Sequence, residues 1–151
     1  MKITDDLASL YEIEYDQWLE QTIKFLKQNQ WEKLDKDHLI EELEELSRRE
    51  KKTLERFLEQ IIRHLLLLQY WHNEYDYNAN HWQAEILSFR TQINEDLTKN
   101  FKNHLQENQS IIYEKALKYV RQKTGYNISF PENCPYTLEQ LLDINWLPKN
   151  N

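Results

Sequence analysis

Three polar side chains interrupt apolar helical stripes, which makes them the first candidates for buried chemistry. Glu50 lies between Leu46 and Leu54, His64 follows Ile61 by three residues, and Arg90 falls between Ile86 and Ile93. A charge drawn into a core needs a partner, because only close opposite charge and hydrogen bonds offset its desolvation. Glu50 and Arg90 are therefore expected to pair between two helices, with His64 joining the network. Fixing helix register is the role expected of such a network, since structural ion pairs carry the same signature as functional ones.

A second set, His72, Glu74, Asp76, His81 and Glu85, surrounds one polar segment, and His81 and Glu85 stand at i, i+4 on one helical face. Together with His64, these are side-chain types that ligate zinc, manganese or iron. The spacing matches no metal template. The chain has no His-Glu-x-x-His, and Asp35 and His38 provide a carboxylate-x-x-His spacing only once, at a helix start. Solvated loop and cap residues are the expectation, with no cofactor. A metal-binding protein or metal-dependent enzyme using His64, His72, His81 and Glu85 is the alternative.

Nucleophilic and nucleotide chemistry find little support. The single cysteine, Cys134, sits between Asn133 and Pro135 with no histidine nearby in sequence, and reads as a packing residue. One glycine in 151 residues cannot build a phosphate-cradling loop. The net charge of −7 argues against a dedicated nucleic-acid binder. Charge is uneven, however: residues 1–50 carry 14 acidic and 7 basic side chains, whereas residues 99–124 carry 2 acidic and 6 basic. Weak nucleic-acid contact through the basic helix 109–124, with Lys115, Lys118, Arg121 and Lys123 outward, is a second alternative. The acidic Glu41, Glu42, Glu44 and Glu45 read as a solvated face near a helix N-terminus.

The elements that must position these residues are helices. Met1 to Thr124 contains no glycine or proline, and Gly125, Pro131, Pro135 and Pro148 all fall in the last quarter. Such a stretch, rich in Leu, Glu, Lys and Gln, reads as helices joined by short polar turns. Tyr15, Trp18, Ile23 and Leu26 define a helix over about residues 14–29, with a possible extra turn over 7–13. Asp35 caps a long helix to about residue 71, with Leu34 and Leu39 as its staple and Leu39, Leu43, Leu46, Leu54, Phe57, Ile61, Leu65 and Leu68 toward a core. A bend near Ser47 is expected in it. Residues 73–80 read as a loop, and Asn80 with Gln83 as a capping box opening a helix through Trp82, Ile86, Phe89 and Ile93.

Phe101 and Leu105 suggest a short connecting helix, with Asn108 capping the next, whose Ile112, Ala116, Tyr119 and Val120 face inward. Gly125 suits a left-handed C′ position. Beyond it, 125–151 forms a turn-rich strap in which Thr137 and Gln140 make a capping box, and Trp146 and Leu147 pin the tail. Trp82 and Trp146 are the aromatic candidates for a site. One domain over 1–151 is expected: an all-α, up-and-down bundle of four main helices plus a short C-terminal one. No secretory leader or membrane span is expected, and a lone cysteine fits a reducing, cytoplasmic setting.

The residues resemble those of the family labelled domain of unknown function twenty-nine, small proteins numerous in cyanobacteria. The resemblance rests on Leu10-Tyr11-Glu12, Trp18-Leu19-Glu20, Leu39 to Glu44 with Glu50, His64-Leu65-Leu66, Trp82, Arg90 to Ile93, and the tail from Pro131 to Asp143 with Trp146-Leu147-Pro148. It implies an all-helical bundle without an assigned activity, and supplies no catalytic residues. From the residues themselves, a helical protein–protein interaction module without catalytic activity is expected, its partner another protein or a second copy.

Overall fold

The computed structural model describes residues 3–149. The protein is all-α, with no strand among the described residues. In chain order the helices are α1 (Ile3–Ile13), α2 (Tyr15–Lys27), α3 (Lys36–Tyr70), α4 (Tyr75–Asp96), α5 (Lys99–Lys123) and α6 (Leu138–Leu142). Single 3-10 turns occupy Trp31–Lys33 and His72–Glu74. No helix among the described residues is long and apolar enough to cross a membrane. The backbone of α3 stays helical through Ser47, giving 35 residues and roughly 50 Å of helix. Contacts gather the chain into two units, Met1–Arg49 and Glu50–Asn151, where the sequence reading has one domain.

The first unit comprises α1, α2 and the opening turns of α3. Leu7, Trp18 and Phe25 are buried, and Leu10, Tyr11, Leu19, Leu34 and Leu39 pack against them. Leu34 and Leu39 thus serve as the expected staple, and Asp35 Oδ1 accepts from the His38 amide at 3.5 Å. With no glycine to end α2, Asn29 takes the left-handed role at φ 59°. Gln30 N donates to Phe25 O at 2.9 Å and Asn29 N to Leu26 O at 3.2 Å, the double closure of a Schellman turn. The apolar stripe of α3 does not stay inward here: Leu43 and Leu46 are exposed.

The second unit holds the larger core. Leu54, Leu58, Ile61 and Leu65 to Leu68 of α3 meet Trp82, Ile86 and Ile93 of α4 and Leu105, Ile112, Ala116 and Val120 of α5. Four consecutive buried leucines mean that the end of α3 is covered on nearly all sides. Phe130, Tyr136, Leu138 and Leu141 bring the strap into the same core.

Three local expectations need correction. Residues 75–80 are helical, and Asn80 opens nothing, because α4 starts at Tyr75. Tyr75 and Ala79 pack on the core and Asn78 turns its amide back to Glu74, so burial overrides the polar composition. Residues 99–123 form one helix capped by Thr98, whose Oγ1 accepts from Phe101 N at 3.2 Å. Asn108 lies inside it and donates to His104 O at 2.8 Å instead of capping. Tyr119 is 40% exposed rather than inward, and the Arg63 guanidinium stacks on its ring at 3.8 Å.

The stop signal at Gly125 and the start signal at Thr137 are both found in the tail. Gly125 sits at φ +67°, with Tyr126 N on Arg121 O at 2.9 Å and Gly125 N on Gln122 O at 3.1 Å. Thr137 and Gln140 exchange side-chain and backbone hydrogen bonds at 2.9 and 3.1 Å. A Cβ on Gly125 would meet only Asn127 Nδ2 at 3.4 Å, an ordinary contact, so the left-handed backbone is what selects glycine. Gly125→Ala is expected to lower unfolding free energy by about 1 kcal/mol in urea titrations; an unchanged midpoint would show that this turn tolerates a side chain without strain.

Candidate functional site

Arg90 is fully buried on α4, and its charge is not met by Glu50. No ion pair joins the two among the described residues. Instead the guanidinium reads three backbone carbonyls: Nε donates to Leu141 O at 2.8 Å, Nη2 to Gln140 O at 2.8 Å and Nη1 to Trp146 O at 2.6 Å. Asn94, one turn later, donates to Leu142 O at 3.0 Å. Gln140, Leu141 and Leu142 end α6, and their carbonyls are those a helix C-terminus leaves without partners at the negative end of its dipole, while Trp146 lies in the tail beyond. Burial lowers the Arg90 pKa to about 10, with Asp143 opposing that shift, so the side chain stays charged at neutral pH. The sequence signal was complementary: α6 has no basic residue in its last turn, so a donor had to come from elsewhere.

The rest of the strap is fastened by phenols and amides. Tyr113 Oη donates to Pro131 O at 2.5 Å, Tyr136 Oη to Gln69 Oε1 at 2.8 Å, and Gln109 Nε2 to Tyr136 O at 2.8 Å. Trp146 stands edge-on to Tyr136 at 5.7 Å, which makes this aromatic candidate part of the clamp. Cys134 is half-buried and burial raises its thiol pKa, as suits a packing residue.

His64, the third member of the expected network, lies apart from this clamp. Its Nδ1 is 2.7 Å from Gln60 O, and since a carbonyl only accepts, Nδ1 carries the proton. Burial lowers its pKa, so the ring is neutral and Nε2 is an acceptor. It lines a cleft of about 310 Å³ with Leu67, Trp71, Asn78, His81, Trp82, Tyr119 and Lys123. Trp82 is nearly buried and lies parallel to Trp71, with centroids 6.0 Å apart and planes 18° from each other.

The proposed metal set is therefore divided. His64 and His81 share the cleft, and Glu85 is close enough to influence His64 electrostatically. His72 turns its Nε2 to Gln69 O at 2.8 Å and does not line it. Among the described residues, no three His, Cys, Asp or Glu are disposed around a common metal position. In the basic helix, Arg121 is taken by Glu132 at 2.7 Å.

The first unit contains a constellation that the sequence reading missed. Asp35 Oδ2 accepts from Trp18 Nε1 at 3.1 Å and from His38 Nδ1 at 2.5 Å. Tyr11 and Tyr15 both donate to the Glu42 carboxylate, each at 2.5 Å, and Tyr11 stacks on His38 at 4.0 Å. The signal lay in two matching seams, aromatics at 11, 15 and 18 facing polar residues at 35, 38 and 42. Asp35 and His38, noted for a metal-like spacing, are instead bonded to each other.

These features define an all-helical protein whose tail is held by a buried polar clamp, with an aromatic cleft beside His64. The family described as Domain of unknown function DUF29 matches residues 10–147, and the chain belongs to it. No curated protein and no solved structure matches the chain.

The first unit should respond to pH from both sides. Hydrogen bonds from Tyr11 and Tyr15 lower the Glu42 pKa below its ordinary 4.5, so its contribution is complete above that value and is lost as pH falls through the lowered one. The bond to Asp35 raises His38 above its ordinary 6.5, so its contribution is complete below 6.5 and is lost as pH rises through the raised value. Urea titrations followed by NMR cross-peaks of residues 1–49 should give the highest midpoint between these two ordinary values. A midpoint that is flat from acid to alkaline pH would contradict the assignment.

Proposed function

We propose that the protein is a cytoplasmic, non-catalytic interaction module whose first unit docks a basic amphipathic helix of another protein on the outer face of α3. The supporting observation is a row of large apolar side chains left in water: Ile40, Leu43 and Leu46 are 54%, 58% and 51% exposed. Successive members are three residues apart, so they lie along one side of the helix. Exposed apolar rows of this kind, rimmed by charge, suit helix recognition.

Charge selects the partner. The row is flanked by Glu41, Glu44 and Glu45, and residues 1–49 hold 13 acidic against 7 basic side chains. A second copy fits poorly. An antiparallel pairing that sets Leu43 on Leu43 and Ile40 on Leu46 also sets Glu41 against Glu45, and like charges in register are destabilising. A partner helix with lysines or arginines flanking its leucines satisfies both features.

Titration with a synthetic Leu/Lys amphipathic helix tests this reading. Binding is expected, weakening with added salt, and falling at least about tenfold in the Leu43→Gln, Leu46→Gln double variant, which leaves every charge in place. Equal affinity for that variant would show that charge alone attracts the peptide and would contradict the proposal. So would a concentration-dependent dimer of the unmixed protein abolished by the same substitutions, which assigns the face to a second copy.

A further inference from the structure

The second unit carries a cleft whose chemistry the interaction reading does not use. Its apolar lining comes from Leu67, Trp71 and Trp82. The partly exposed Trp71 indole, backed by the near-parallel Trp82, suits a flat ring better than an aliphatic chain, because offset stacking adds to simple burial. At about 310 Å³ the space is at the small end of ligand pockets and takes a single substituted ring.

The polar groups around that lining differ in sign. On α3, His64 contributes one accepting nitrogen, since its other nitrogen is committed to Gln60 O at 2.7 Å. No protein donor reaches His64 Nε2 among the described residues. On α5, Lys123 contributes an ammonium that makes no salt bridge among the described residues, its Nζ lying 5.8 Å from the Tyr119 ring centre. The neighbouring Arg63 differs, because it is paired with Glu59 while stacking on Tyr119. One unpaired cation suits a monoanion. A phosphate dianion would call for more cations than this one lysine.

We propose that this cleft binds a small aromatic carboxylate bearing a hydroxyl or N–H donor, with its ring against Trp71, its carboxylate at Lys123 and its donor on His64 Nε2. Asn78 and His81, on α4, supply further polar contacts at the rim. The inference is independent of the α3 docking face, which lies in the other unit.

The probe is 4-hydroxybenzoate, titrated into the full chain by calorimetry and by NMR of the indole N–H signals. A dissociation constant on the order of 1 mM or tighter is expected for so small a ligand, with shifts in the indole signals of Trp71 and Trp82. Phenol, lacking the anion, and benzoate, lacking the donor, are each expected to bind at least about fivefold more weakly. Lys123→Gln, an exposed substitution that leaves the core untouched, should weaken 4-hydroxybenzoate about tenfold, and His64→Leu, which has no acceptor, should remove its preference over benzoate. No shift of either indole up to about 10 mM ligand would overturn the proposal. Binding that is unchanged in Lys123→Gln, or equal for 4-hydroxybenzoate and phenol, would overturn it equally.

Discussion

The second unit depends on one buried cation meeting one helix end. A guanidinium with no solvent exposure is costly unless its donors are satisfied, and a five-residue helix ending in an irregular tail has carbonyls that its own backbone cannot satisfy. Arg90 resolves both deficits, placing three N–H groups on the carbonyls of Gln140, Leu141 and Trp146. Lysine would not do the same, since a single ammonium lacks the planar fork that spans several acceptors. Once the end of α6 is held, Leu138 and Leu141 can bury, Trp146 can close on Tyr136, and the strap from Phe130 onward completes the core. The polar residues on the apolar stripes thus serve different ends: Arg90 organises the tail, whereas His64 opens on a cleft.

The first unit solves the opposite problem, a core too small to hold helices by burial alone. Among its described residues three apolar side chains are buried, contributing about 5–9 kcal/mol of transfer free energy, which chain entropy readily offsets. Tyr11 and Tyr15 compensate by hydrogen-bonding to Glu42 on α3 and Trp18 to Asp35 just before it, and the His38 ring packs against Tyr11. With its inward face spent on polar bonds, this part of α3 leaves Ile40, Leu43 and Leu46 outside. That distribution is what a docking surface requires and what an isolated core would avoid.

Fold class was legible because it rests on local signals. The absence of glycine and proline before residue 125, the Asp35 cap, the Gly125 stop and the Thr137 capping box each act within a few residues, and each is found where its chemistry places it. Errors arose where distant packing outweighed composition. Residues 75–80 look like a polar loop, yet Tyr75 and Ala79 are gripped by the core; Asn108 resembles a cap, yet the buried seam from Leu105 to Ile112 runs straight past it. The polar anomalies were visible, but their partners were not. Arg90 looked for a carboxylate in the sequence and found main-chain carbonyls about fifty residues away, acceptors that every residue possesses and no pattern reveals. The paired seams of the first unit were hidden for a related reason, since aromatic and acidic residues at helical spacing acquire meaning only when their helices face each other.

Amide hydrogen exchange in Arg90→Met measures the central dependence most directly. The amides of Leu141, Asp143 and Trp146 are protected by bonds to Thr137 O, Glu139 O and Asp143 O in the native tail. If Arg90 holds that tail, exchange at these three amides should accelerate by about a hundredfold or more, because a buried, multiply bonded cation and its acceptors lose each other. The amides of Ile61 and Leu65 in α3 should remain protected. Native-like protection at Leu141, Asp143 and Trp146 in the variant would contradict the account.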